Sequence, residues 1–206
     1  MKPKTFLILF AILVMIVAVT AGCKSFFKYK FGMVEPREET PESLIAFLEN
    51  NKFPSGDMYM FSDSTAYFQA LRNPLFIKKF LSHMNFNRDG LLLSSDTTKC
   101  QWSGYDVIKA LRPDSAYPTV PGLQLDEILR HIKPFGKTPA YDSMSGKPDF
   151  TVIVTWGKFI GKYNYRLFDL SGAVDENKRA KIRLIWLNVD LQKSWHLTKH
   201  QKISFR

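Results

Sequence analysis

The sequence predicts an α/β domain built on a βαβ unit, and three observations carry that expectation. Residues 150–156 (Phe-Thr-Val-Ile-Val-Thr-Trp) are a β-rich apolar run. Residues 182–190 are a second, nearly continuous apolar run. Between them Tyr163, Leu167, Leu170 and Val174 recur at helical spacing. Two apolar strands joined by one helix pair in parallel, and strands this apolar are covered on both faces.

The elements follow in order. Residues 6–21 are apolar and uncharged after the basic start Lys2 and Lys4, the layout of a secretory signal. The ending Thr20-Ala21-Gly22-Cys23 resembles the lipobox of bacterial lipoproteins, which implies lipidation at Cys23. The rival reading is an uncleaved helix, since residues 5–22 just reach the roughly 17–25 residues a span requires. Both readings tether the domain to a membrane through its N-terminus, so the expected location is membrane-anchored and extracytoplasmic. Residues 1–23 are thus a signal or anchor, and 24–40 a tether that opens basic and aromatic and ends in the polar run 35–39.

Residues 41–148 are expected to form a helical and hairpin region packed on the core. Thr40-Pro41-Glu42 is a helix start: a capping hydroxyl, proline at the first helical position and an acid in the first turn. Residues 58–61 form a short strand, Asp63 or Ser64 caps a helix running to about Arg72, and Asn73-Pro74 starts another. Met84-Asn85-Phe86 and Leu91-Leu92-Leu93 flank Asn87-Arg88-Asp89-Gly90, a hairpin signal. Ser103 caps a helix over 105–111, residues 113–122 are loop, and 123–132 read as a helix with Leu125, Ile128, Leu129 and Ile132 on one side. Residues 133–148, rich in proline and glycine, are irregular, and 149–206 hold the βαβ segment and a tail.

The chain of 206 residues is 45% hydrophobic, enough for one packed core. Its formal charge of +10 favours anionic partners. The positive residues are scattered rather than interleaved with aromatics on one stripe, which argues against nucleic acid. Glycine-rich phosphate-binding fingerprints do not occur, nor does an EF-hand pattern. Asp142-Ser143 and Ser145 offer hydroxyls without a nucleophile elbow or a neighbouring histidine. His196 and His200 have the spacing of a metal pair but lack a third ligand nearby, so they read as a basic tail and no metal is expected. His83 and His131 are isolated and read as structural. With Cys23 committed to lipid or bilayer, Cys100 has no intrachain partner. It is either a reactive thiol beside Lys99 or a small buried hydrophobe.

One segment resembles a known family. Residues 154–164, Val-Thr-Trp-Gly-Lys-Phe-Ile-Gly-Lys-Tyr-Asn, are similar to the active-site stretch of thioredoxin-like proteins: an apolar strand ending in Trp156, a turn, and a helix start. The later ending Leu187-Asn188-Val189-Asp190 matches the Asn-x-Asp with which that family closes its next strand. The resemblance covers about forty residues, 150–190, and implies a thioredoxin-like three-layer core. The family's two cysteine positions are held by Ile160 and Tyr163, which implies that dithiol chemistry is gone. In the family a proline loop, a β-hairpin and a helix follow the second strand. Residues 191–206 contain no proline, so these pieces are expected from upstream in a rearranged order, the 84–93 hairpin first among them. The implied function is a binding or scaffold module without cofactor, possessing an aromatic edge of Trp156, Phe159 and Tyr165 that grips an extended peptide or another envelope protein. The alternatives are a thiol-dependent enzyme using Cys100 and a protein that binds anionic surfaces.

Overall fold

The computed structural model describes residues 29–54, 56–94, 104–138 and 146–198. Its elements run β1 (Glu38–Glu39), α1 (Pro41–Asn50), β2 (Asp57–Phe61), α2 (Ser64–Arg72), α3 (Pro74–Lys78), β3 (His83–Asn87) and β4 (Leu91–Leu93). Then come α4 (Gly104–Lys109), β5 (Thr119–Gln124), α5 (Leu125–Leu129), β6 (Ile132–Pro134) and β7 (Phe150–Trp156). A 3-10 turn (Lys158–Ile160), α6 (Tyr163–Phe168), α7 (Leu170–Glu176), β8 (Ile182–Asn188), β9 (Leu191–Gln192) and a last 3-10 turn (Lys193–Trp195) complete the order.

β7 and β8 are parallel neighbours, paired from Phe150↔Ile182 to Trp156↔Asn188. Every residue of β7 is buried, as the unbroken apolar run required. The pair does not stand alone. Among the described residues a seven-stranded mixed sheet has the order β5-β4-β3-β7-β8-β2-β6. β3 lies antiparallel against β7, from His83↔Val154 to Asn87↔Phe150, so the 84–93 hairpin joins the same sheet as the central strand. β2 extends the other side, parallel to β8.

Helices cover both faces. Phe61 of β2 meets Tyr67 of α2 with ring centroids 5.3 Å apart. Trp186, of opposite strand parity, meets Phe168 of α6 at 4.5 Å on the other face. The helix starts follow their caps. Thr40 and Ser43 form a reciprocal capping box on α1. The Asp63 carboxylate accepts from the Ala66 amide at 2.9 Å at the start of α2, and Asn73 accepts from Leu75 and Phe76 at the start of α3.

Three expectations are corrected. The helix read at 123–132 is only Leu125–Leu129, because Leu123 ends inside β5 and Ile132 begins β6, which pairs with β2. The loop read at 113–122 accordingly contains the start of β5, whose Thr119 pairs with Leu93. The single helix read from 161 is divided at Asp169 into α6 and α7, each with its own buried positions. Of the 24–40 tether, residues 29–40 are docked on the core rather than extended away from it: Phe31 is buried, and β1 pairs in parallel with β9. We call residues 29–40 the strap. Among the described residues no helix is long and apolar enough to cross a membrane; the apolar run 6–21 lies outside them.

Candidate functional site

The turn after β7, residues 157–163, is built by groups from three directions. Gly157 leaves β7 in extended conformation with a side chain's space filled: an added Cβ would sit 2.6 Å from the Phe159 ring. The following 3-10 turn has no capping side chain of its own. Asp190, just beyond β8, supplies one, and its Oδ2 accepts from the Lys158 amide at 2.8 Å and from Asn188 Nδ2 at 2.7 Å. A carboxylate at such an N-terminus is favoured by the exposed amides and their dipoles. Burial nevertheless dominates, and pushes the Asp190 carboxyl up to about 6 against the hydrogen bonds from Asn188 and Lys158.

Asn164 stitches the turn from inside. Its Nδ2 donates to the Gly157 carbonyl at 2.8 Å and to the Gly161 carbonyl at 3.1 Å. Gln192 donates to Asn188 Oδ1 and to the Asp190 carbonyl. The Tyr67 hydroxyl donates to the Val189 carbonyl at 3.2 Å. Burial first, and the Asp190 charge second, raise the Tyr67 phenol above its ordinary range. The result is a buried polar cluster at the C-terminal ends of the two central strands.

The strap closes the outside of this turn. The Phe31 carbonyl accepts from the Lys162 amide at 2.7 Å, and the Val34 amide donates to the Phe159 carbonyl at 2.8 Å. The Phe31 ring stands edge-on to Tyr163 with centroids 5.4 Å apart. The Lys158 ammonium pairs with Glu39 at 2.6 Å, both side chains largely shielded. Gly161 has φ +55 and ψ −129, a region L side chains avoid, and a Cβ there would run into the Phe31 and Gly32 carbonyl oxygens. The glycine is therefore needed both by the turn and by the strap that lies on it.

Ile160 is wholly buried and packs in the core, while Tyr163 is half-buried against Phe31. Neither side chain offers a thiol. The aromatic edge expected from Trp156, Phe159 and Tyr165 is not an open surface. Trp156 shares the pleat face of Val152 and Val154, is fully buried and stacks on Phe47 at 6.2 Å. Phe159 is buried as well, and only Tyr165, 48% exposed, reaches solvent. Its hydroxyl donates to Asn51 at 3.1 Å.

Cys23, Cys100, His200, Asp142, Ser143 and Ser145 lie outside the described residues. Among the described residues no group of three or more histidine, cysteine or acidic side chains could hold a metal ion. His83 is half-buried, and its imidazole is pushed down to about 4, by desolvation first and by the Lys79 charge second. The sequence reading singled out neither Asn164 nor the strap contacts of Phe31 and Glu39. The buried asparagine had a signal in its place directly after the turn; the strap had none.

Comparison of the chain with protein-family models, with curated proteins and with solved structures gave no match.

Proposed function

We propose that this chain is a membrane-tethered, extracytoplasmic thioredoxin-like protein without redox chemistry, acting as a binding or scaffold module. One observation carries the reading: a central strand, a turn and a helix start in the order the resemblance requires, with a buried alkyl side chain, Ile160, at the nucleophile position. A cysteine at a helix start becomes nucleophilic because its thiolate is stabilised there. Isoleucine has nothing to ionise, so the frame supports recognition and not electron transfer.

The strand order supports the same reading. The hairpin that the family places after its second strand is supplied here by β3 and β4, antiparallel beside β7. The strap supports a binding role for the turn, because a chain segment, turning at Gly32, is already seated there by main-chain hydrogen bonds to the Phe159 carbonyl and the Lys162 amide. A partner's extended segment makes the same kind of contact when it displaces the strap. The tether is lipid on Cys23 or an uncleaved apolar helix.

The test has two parts. Full-length protein given insulin and a dithiol reductant is expected to add no turnover above the reductant; robust turnover that survives Cys100→Ser overturns the redox-silent reading. Metabolic labelling with a fatty-acid analogue, parent against Cys23→Ala, decides the form of the tether. Loss of the protein from the membrane fraction in both cases, with no label, overturns tethering.

A further inference from the structure

The face around Phe31 combines cations that are far apart in sequence. Lys30, Lys162 and Arg166 are all exposed. The Arg166 guanidinium lies 5.2 Å and the Lys30 ammonium 5.9 Å from the centroid of the Phe31 ring. Lys162 is fixed to the same residue through its amide. Beside them Tyr29 is 89% exposed and Val34 51% exposed, the two largest exposures among the large apolar side chains of the described residues. The acids of the strap are Glu35, exposed, Glu38, half-buried, and Glu39, bound to Lys158, and the exposed Asp169 follows α6 in the chain. Scattered charge in the sequence thus becomes one basic, aromatic face in the fold.

The chain path limits where this face can be. The apolar run ends at Ala21, eight residues before Tyr29. A fully extended chain of that length reaches at most about 28 Å. A domain held by residues 6–21 therefore keeps the Phe31 face within that distance of the bilayer.

We propose that this face lies on an anionic lipid surface, with Lys30, Lys162 and Arg166 against head-group phosphates and Tyr29 in the interfacial layer. The inference rests on the membrane-tethered reading above. Basic side chains close to such a surface are drawn to it individually, and tyrosine favours the head-group region. Three cations on one face, already brought near by a tether, give orientation rather than mere attachment. The docked face also lays the strap against the lipid, so the turn is reached only after the domain lifts away.

The experiment is amine footprinting of the full-length protein reconstituted in vesicles of phosphatidylcholine alone or of phosphatidylcholine mixed with phosphatidylglycerol, read by peptide mass. Lys162 is expected to react about tenfold more slowly in the anionic vesicles, and to regain its rate in high salt as the charges are screened. Lys147, exposed near the opposite end of β7, is expected to react equally in both. A paired Lys30→Gln and Arg166→Gln variant, altering exposed side chains only, is expected to lose the difference at Lys162. Equal Lys162 rates in the two vesicle types overturn the proposal, as does protection of Lys162 and Lys147 alike. Co-flotation with the neutral vesicles separates the two failures. Protein that floats yet shows no protection sinks the face alone, whereas protein that does not float sinks the tether and the face with it.

Discussion

Truncating Phe31 to alanine is expected to release the strap while leaving the sheet intact. Phe31 is only 8% exposed and is the buried side chain between Tyr29 and Thr40. Removing a buried phenylalanine side chain costs about 3–5 kcal/mol. One side of this ring faces the cationic groups of Lys30 and Arg166 rather than packed core, so the lower end, about 3 kcal/mol, is the working value. At 1.4 kcal/mol per factor of ten, the opening of the strap becomes about a hundredfold more frequent. Amide hydrogen exchange reads this directly. The Lys162 and Val34 amides, which bond to the Phe31 and Phe159 carbonyls, are expected to exchange about a hundredfold faster. The Val189 amide, bonded to the Trp156 carbonyl between the central strands, is expected to keep its rate. Unchanged protection at Lys162 refutes the docking. Equal acceleration at Val189 refutes its local character, because the strap is then part of the cooperative core.

Further expectations concern the turn and its pH dependence. Asp190 has its carboxyl raised from 3.8 to about 6, so its contribution is fullest below pH 3.8 and falls as pH rises through 6, by about 3 kcal/mol. His83 is lowered from 6.5 to about 4, so its contribution is present above 6.5 and lost as pH falls through 4, again by about 3 kcal/mol. The two slopes oppose. Urea unfolding of Asp190→Asn is expected to show stability climbing between about pH 4 and 6.5, and His83→Gln to show it falling, whereas parallel profiles for both variants contradict the assignment. Asn164→Ala removes a side-chain donor from the buried Gly157 carbonyl and the half-buried Gly161 carbonyl, which keep main-chain donors from Ile160 and Asn164, and is expected to cost about 1–2 kcal/mol in the same assay; no measurable loss would show that the main-chain donors suffice. Gly161→Ala is expected to destabilise far more than Gly32→Ala. Both have positive φ, but a Cβ at Gly32 meets nothing within 4 Å while one at Gly161 meets strap backbone.

What could be read from the sequence depended on how each element is stabilised. β7 is buried throughout and β8 over its second half, so their apolar runs were nearly unbroken and legible. The helix starts at Pro41, Ser64 and Pro74 were legible because capping is local chemistry. β5 and β6 were not, because Pro121, Gly122 and Pro134 carry turn signals and the strands are held mainly by partners distant in sequence. The turn was readable as a frame, but its exposure was not. The aromatic residues Trp156 and Phe159 face inward because the strand's parity and the Gly157 bend aim them there, and neither appears in a list of residue types. Main-chain bonds, the Phe31 ring and the Lys158–Glu39 ion pair help to hold the strap, with no periodicity to reveal it.

The most direct measurement places a cysteine pair where the frame would use one. In an Ile160→Cys, Tyr163→Cys variant the account predicts that the pair closes to a disulfide on mild oxidation. It further predicts that the reduced thiol at position 163, followed by alkylation and peptide mass, reacts about a hundredfold faster once Phe31→Ala is added, since the Phe31 ring of the strap covers that position. A pair that does not close, or a thiol that reacts equally with the strap present and released, contradicts it.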